Sequence, residues 1–517
     1  MRIGFVQGLA AALAVMTIVA PCRADDREAP TEGAPDDALA GFHDGLFFLR
    51  DLKSDFVLYP QLRAQVDHYS YFGTGVSDTT LKSTMVLRRV RPELAGEILH
   101  HWQFLVAGDW GQTALDNPRG TNETSAAAAG VAPTAASGRY ASAQTASARS
   151  AAADVFINYR ASRELNVQAG QYNPPFTLEG AASEKTMPFL ERNMGSRLLA
   201  NPTTKDLGVT VWGSTEGDRL YYALGVFNGD GQNRTNPDNR YDAVGRVVWK
   251  PLRDLPGPIR DAHVGASFRF GSRDPKSVDY DATTLTTQGN YAFWSPIYTG
   301  AKGPTHVIPS NRQLGVAGEL RIPISIFAVT SEVLYVDYRT REAVEGFQAA
   351  NTERAGQLRG LSYYVQASVW LLGPRDVVGT RIFNPPAHAD FSKRDRGDPA
   401  QALQLIVRWE QLRLSYDSAA RLGVADANGI DGDIRVDALS AIASYWATRH
   451  MRLSVQYDLN LFPGSEPAKA SPAGTPTWSS SQRAQAPAQT IAAGVNDTAR
   501  SGGHALHELL FRAAVAF

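Results

Sequence analysis

The sequence predicts an all-β fold, a 16-stranded antiparallel transmembrane β-barrel. Three observations predict it. Apolar and polar residues alternate with a period of two along 16 segments, the links between them alternate short and long, and the last segment ends on an aromatic residue, Phe517. Alternation of this kind gives a strand one apolar and one wet face.

The elements follow in order. Met1-Arg2 is a basic start and Ile3 to Ala20 an apolar run. Cys22-Arg23-Ala24 offers small residues for cleavage before Asp25. This is the layout of a secretory signal peptide over 1–24; an uncleaved N-terminal membrane anchor is the other reading. Cleavage removes Cys22, the one cysteine of the chain, which suits an oxidising compartment. Residues 25–44 are acidic, with Pro30 and Pro35, and read as a flexible periplasmic lead-in before a barrel over 45–517.

The expected strands are 56–69, 83–98, 102–111, 153–160, 164–172, 205–214, 219–227, 241–251, 260–271, 312–323, 326–338, 359–372, 401–417, 434–447, 450–461 and 506–517. Most are long enough to cross an outer-membrane bilayer, which takes about 9–11 tilted residues. The clearest runs from Met451 to Leu461: Met451, Leu453, Val455, Tyr457, Leu459 and Leu461 share one face, while Arg452, Ser454, Gln456, Asp458 and Asn460 share the other. Tyr363 to Leu371, Ala243 to Trp249 and Ala262 to Phe270 repeat the pattern. In 401–417 the apolar phase switches between Trp409 and Leu412, which predicts a β-bulge near Glu410-Gln411.

Short links at 99–101, 161–163, 215–218, 252–259, 323–325 and 448–449 alternate with long ones at 70–82, 112–152, 173–204, 228–240, 272–311, 339–358, 418–433 and 462–505. Short turns on one side and long loops on the other describe an outer-membrane barrel with both termini in the periplasm. One link, 373–400, is long where a short one belongs; it is a plug, an inward-folded segment or a missed pair of strands.

Composition excludes other classes. Fifty-one Lys and Arg balance 52 Asp and Glu, giving a formal net charge of -1, without the basic excess of a nucleic-acid binder. No cofactor is expected: His388 and Asp390 make only a lone pair in a loop, and no Ser pairs recognisably with His100, His101, His504 or His507.

The run 154–190, DVFINYRASRELNVQAGQYNPPFTLEGAASEKTMPFL, continues into Glu191-Arg192. It resembles the phosphate-selective porins O and P, in which a strand ending Gly-Gln-aromatic precedes Pro-Phe-x-Leu-Glu and then a Leu-Glu-Arg turn. Leu87 to Arg91, Leu207 to Val209, Gly225 to Gly229, Tyr363 to Ser368 and the closing strand extend the resemblance over roughly 45–517. The resemblance implies an outer-membrane anion porin, a homotrimer whose third long loop, here 173–204, folds inward to make the constriction. The family places a Lys after Gly-Gln-aromatic; Asn173 stands here.

On these strand phases the inward basic residues are Arg89, Arg91, Arg246, Lys250, Arg269, Arg408 and Arg452, with Arg88 on the outward phase. By the analogy, Lys185, Arg192 and Arg197 of the third loop join them. An Arg facing lipid at mid-bilayer costs about 2–4 kcal/mol, so alternation favours the lumen. Inward arginines replace hydration that an anion sheds in a narrow pore; the competing reading pairs each with Glu93, Glu97, Glu410 or Asp458. The expected function is a porin for small hydrophilic solutes with a moderate preference for anions such as phosphate or polyphosphate. Its partners are outer-membrane lipid and small anions. A plugged structural or adhesive barrel, and less so a barrel enzyme, are the alternatives.

Overall fold

The computed structural model describes residues 38–72, 83–111, 151–200, 204–278, 280–290, 292–294, 297–300, 303–344, 352–373, 386–389, 391, 401–417, 431–462 and 504–517. The signal peptide and most of the lead-in lie outside them. The strands of the barrel are β1 (Phe56–Phe72), β2 (Thr84–Ile98), β3 (Trp102–Asp109), β4 (Ala151–Arg160), β5 (Asn166–Tyr172), β6 (Asp206–Ser214), β7 (Leu220–Phe227) and β8 (Asp242–Trp249). They continue as β9 (His263–Arg273), β10 (Gly303–Ile324), β11 (Phe327–Val344), β12 (Thr352–Leu372), β13 (Ala402–Asp417), β14 (Asp431–Thr448), β15 (Met451–Phe462) and β16 (His504–Ala516). Each pairs antiparallel with the next, and β16 returns to β1, with His507 opposite Phe72 and Ala516 opposite Arg63. Closure leaves no unpaired edge, which a bilayer interior requires.

The period-two pattern sorts the faces as expected. Val247, Trp249, Phe268, Val365, Val407, Trp409 and Met451 are exposed on the outside, while Arg246, Arg269, Gln366, Arg408 and Arg452 are buried within. β10, β11 and β12 run well past the expected ends on the long-loop side.

Three readings need correction. First, Arg88 does not face outward. Gln65 pairs with Arg89 while the next residue, Val66, pairs with Leu87, so Arg88 is the extra residue of a bulge. Both arginines therefore enter the lumen, where both are buried. Second, no bulge interrupts 410–411: Glu410 pairs with Tyr364 and Ala438, and Gln411 with Tyr363 and Asp437. Leu412, Leu414 and Tyr416 stay on the inner phase because an apolar surface inside the barrel receives them, together with Met194, Leu198 and Leu199. Third, the lead-in is not wholly irregular. Ala40–His43 and Leu46–Arg50 form a hairpin that adds to β1 at Leu58.

The long link between β12 and β13 puts no strand between them in the sheet, since Gln366 of β12 lies directly opposite Arg408 of β13. Its described residues reach the inner wall of β1 and β2. His388 Nδ1 is 2.9 Å from Glu97, the Ala389 amide donates to the Tyr59 hydroxyl at 3.2 Å, and Phe391 packs on Phe48.

Candidate pore constriction

The segment 173–200, between β5 and β6, starts at the end of a lumen-walled strand and must satisfy its own backbone. Two helical turns do part of this. Leu178–Ala181 is capped by Thr177, whose Oγ accepts from the Gly180 amide at 3.0 Å. A wider turn spans Gly195–Ala200.

Wall side chains satisfy much of the rest. Glu332 of β11 accepts from the Leu178 amide at 3.1 Å, Gln456 of β15 from the Leu190 amide at 3.0 Å, and Glu410 of β13 from the Met194 amide. Arg452 of β15 donates to the Met187 carbonyl at 2.6 Å, and Arg512 of β16 to that of Leu190 at 2.5 Å. Contacts on β1, β2, β11, β13, β15 and β16 tie this segment to the wall. Wall glycines give it room: a Cβ at Gly360 would meet Leu199 at 2.6 Å, and one at Gly315 would meet Phe176 at 2.7 Å.

Three loop carboxylates gather arginines. Glu179, the acid of Pro-Phe-x-Leu-Glu, pairs with Arg408 and accepts from the Asn193 amide at 2.6 Å. Glu184 holds Arg63 at 3.1 Å, Arg89 at 3.2 Å, Arg91 at 2.5 Å and Arg192 at 2.8 Å. Glu191, the acid of Leu-Glu-Arg, holds Arg88 at 2.9 Å, Arg89 at 3.3 Å and Arg512 at 3.1 Å. Burial alone would raise both Glu184 and Glu191. Arg89, Arg91 and Arg192 outweigh it at Glu184, and Arg88, Arg89 and Arg512 at Glu191, so both carboxyls sit well below the usual range.

The structure thus brings Arg89, Arg91 and Arg192 together around Glu184 and places Arg408 on Glu179. The remaining sequence-selected residues stand apart. Arg246 forms a two-pronged pair with Glu319 at 2.9 and 2.8 Å. Arg269 binds Asp242 at 2.6 Å and the Ala200 carbonyl at 2.9 Å. Arg197 donates to the carbonyls of Thr286 and Thr287, each at 2.6 Å. Lys250 lies 3.4 Å from Asp261. Lys185 bonds Glu93 at 2.9 Å and Gln61 at 2.5 Å. Burial pulls its ammonium below the ordinary value against the pull of Glu93. Of the four carboxylates named by the competing reading, Glu93 pairs with Lys185; most other partners are loop and wall acids the alternation does not connect. Arg63 and Arg512 escaped selection, although both lie on the inner phase of their strands. Lys205 brings its ammonium within 2.9 Å of the Asn173 amide oxygen and 2.7 Å of Asp154, so a lysine stands beside Asn173 after all.

Beneath the loop, on the short-turn side, lies a cavity of about 1120 Å³. Its lining holds Arg63, Arg160, Arg163, Lys185, Lys250, Arg321, Arg449 and Arg452 against Asp44, Glu93, Asp154, Asp218 and Asp261. Among the described residues that is 8 cations and 5 carboxylates. Fixed guanidinium and ammonium groups on such a wall can replace water that an anion sheds.

Solved outer-membrane proteins are among the structures similar to this chain. In-vitro folded OmpT, an outer membrane protein of Vibrio cholerae, superposes with a TM-score of 0.47 at 7% identity, covering 90% of this chain and 98% of that one. The outer membrane channel DcaP of Acinetobacter baumannii gives 0.42 at 10% identity, with 89% and 97% covered. The anion-selective porin from Comamonas acidovorans gives 0.40 at 10% identity, with 89% and 99% covered. No curated protein sequence matches the chain. The sequence model for phosphate-selective porin O and P matches residues 61–458, well over half the chain, and the protein belongs to that family.

Proposed function

We propose that this chain is an outer-membrane porin, assembled as a homotrimer, that passes small hydrophilic solutes with a moderate preference for anions such as phosphate or polyphosphate. The observation that carries this is the excess of cations over carboxylates lining the cavity beneath the third loop. The selected residues divide by role. Lys185, Lys250 and Arg452 face that cavity and meet the ion. Arg89, Arg91, Arg192 and Arg408 hold the loop on its carboxylates, and Arg197, Arg246 and Arg269 brace the loop and wall around it. The clasp sets the width; the cavity cations set the sign.

Reversal potential under a KCl gradient, repeated with phosphate competing, tests this. An anion-selective value is expected, and Lys185→Glu shifts it toward cations; a cation-selective wild type overturns the reading. One observation favours a plugged structural barrel instead: Met187, Phe189, Leu190, Met194 and Leu199 of the loop are all buried inside the lumen. A plugged barrel gives no open steps in planar bilayers, whereas a porin does.

A further inference from the structure

The outer surface of the barrel carries a polar belt that the transport reading does not use. On β10 to β14 the outward phase is apolar from the short-turn end upward, with Val316, Val333, Tyr335, Val365, Trp409 and Leu439 exposed. At the long-loop end the same phase turns basic. Arg312 pairs with Asp337, Arg339 and Arg359 donate to Gln357 at 2.6 and 3.1 Å, Arg413 donates to Gln411 at 2.6 Å, and Arg435 lies 2.9 Å from Asp437.

Two of these five arginines contact carboxylates, Asp337 and Asp437, and Asp417, Asp431 and Asp433 lie on the same phase farther along β13 and β14. Arg413 lies directly opposite Arg435 across the β13–β14 pairing, and Arg359 sits one step away on β12, where Leu361 faces Arg413. Like charges in direct cross-strand opposition destabilise a sheet unless an anion lies between them. Arg413 and Arg359 are exposed, and the Arg435 side chain is 48% exposed. Each guanidinium has five N–H donors in a fork that matches phosphate oxygens, and the contacts above leave most of them unused. The belt sits where hydrocarbon gives way to headgroups. At the same phase elsewhere, the far ends of β15, β16 and β1 carry Tyr457, His507 and Phe72 stacked together, so the basic row is local to one side.

We infer that Arg359, Arg413 and Arg435 form a site for the phosphorylated headgroup of an outer-leaflet glycolipid, with the acyl chains lying along Trp409, Val365 and Leu439. The inference rests on the outer-membrane location proposed above, but not on conduction, because these side chains point away from the lumen.

The test is native mass spectrometry of the detergent-solubilised barrel with bisphosphorylated lipid A. Wild type retains the lipid; Arg413→Gln with Arg435→Gln retains it about tenfold less, since charge-assisted bonds are lost. Arg359→Gln alone, which leaves the opposed pair intact, gives a smaller loss. Monophosphorylated lipid A binds more weakly, and inorganic phosphate does not displace the bisphosphorylated form. Unchanged heat-dependent gel mobility and reversal potential in the variants show that barrel and pore are intact. Equal retention by wild type and double variant overturns the proposal. So does full displacement by inorganic phosphate, which makes the site one for the free ion. A change in protomer number that needs no lipid also overturns it, because the belt is then a subunit contact.

Discussion

Glu184 serves four arginines with one carboxylate, and this makes it the residue on which the loop clasp depends most. Removing its charge leaves Arg63, Arg89, Arg91 and Arg192 crowded together with one counter-charge fewer. Breaking one side of a buried ion pair costs about 3–5 kcal/mol, because the remaining charges stay desolvated. Glu184→Gln is therefore expected to lower the temperature at which the barrel loses its compact mobility on SDS gels. The same substitution adds positive charge beside Lys185, so the reversal potential moves further toward anions. The pH dependence follows from the depressed carboxyls of Glu184 and Glu191. A carboxyl held below its unfolded value stabilises fully above that value and loses the contribution as pH falls through the folded one. The clasp's contribution to the melting temperature should thus be constant above about pH 5 and be lost only below about pH 4, where unfolded carboxylates begin to protonate. Thermal melts of wild type and Glu184→Gln across that range check it; a difference between the two that already shrinks at about pH 6 contradicts the clasp.

At the scale of elements, the strands were legible because a strand walled by lipid and water must alternate. Met451 to Leu461 shows it without exception. What alternation cannot show is an insertion that preserves composition. Arg88 and Arg89 are chemically equivalent, so nothing in the sequence marks one of them as the extra residue of a bulge; only the pairing of β1 with β2 does. The opposite error arose at Leu412, Leu414 and Tyr416. A run of apolar residues on the inner phase reads as a register change when the lumen is taken to be wet, and here Met194, Leu198 and Leu199 pack against it. The loop's attachment was half legible. Its Leu-Glu and Leu-Glu-Arg motifs were visible, but their role as arginine receptors depends on partners that only the fold brings close, 102 positions away for Glu191 with Arg89 and 321 for Glu191 with Arg512. Gly360 tests the loop's seat. A side chain there meets Leu199, whose Cδ1 would lie 2.6 Å from a new Cβ. Gly360→Leu is expected to lift the Gly195–Ala200 turn from the wall and to give larger, noisier single-channel steps in planar bilayers, with the barrel still heat-modifiable. Wild-type steps show that the turn does not set the width.

Across the whole molecule, the mouth on the short-turn side is narrowed by two segments far apart in the chain. The hairpin of Ala40–His43 and Leu46–Arg50 sits at the seam where β16 meets β1, with Phe47 packed edge-on against Phe517 at 5.4 Å. The segment ending at Phe391 comes from the opposite wall, between β12 and β13. The two meet in an aromatic and cationic contact: Phe391 stacks on His43 at 5.3 Å, and Arg50 lies 4.4 Å over its ring. Neither is needed for closure. β1 and β16 pair from Arg63 to Phe72, and Leu62 and Phe517 exchange backbone bonds at 3.0 Å, all beyond the hairpin's own pairing at Val57 and Leu58. Deleting residues 38–50 should therefore leave a folded, heat-modifiable barrel while releasing the hold on Phe391. Conductance is expected to rise, because the mouth loses one of its two covers. The sign of selectivity should not change, because Arg63, Lys185 and Arg452 lie deeper, on strands and loop that the deletion does not touch. Single-channel conductance and reversal potential on the truncated protein separate the two effects: unchanged conductance means the hairpin covers no part of the ion path, and a reversed potential means that the mouth rather than the cavity beneath the loop selects the ion.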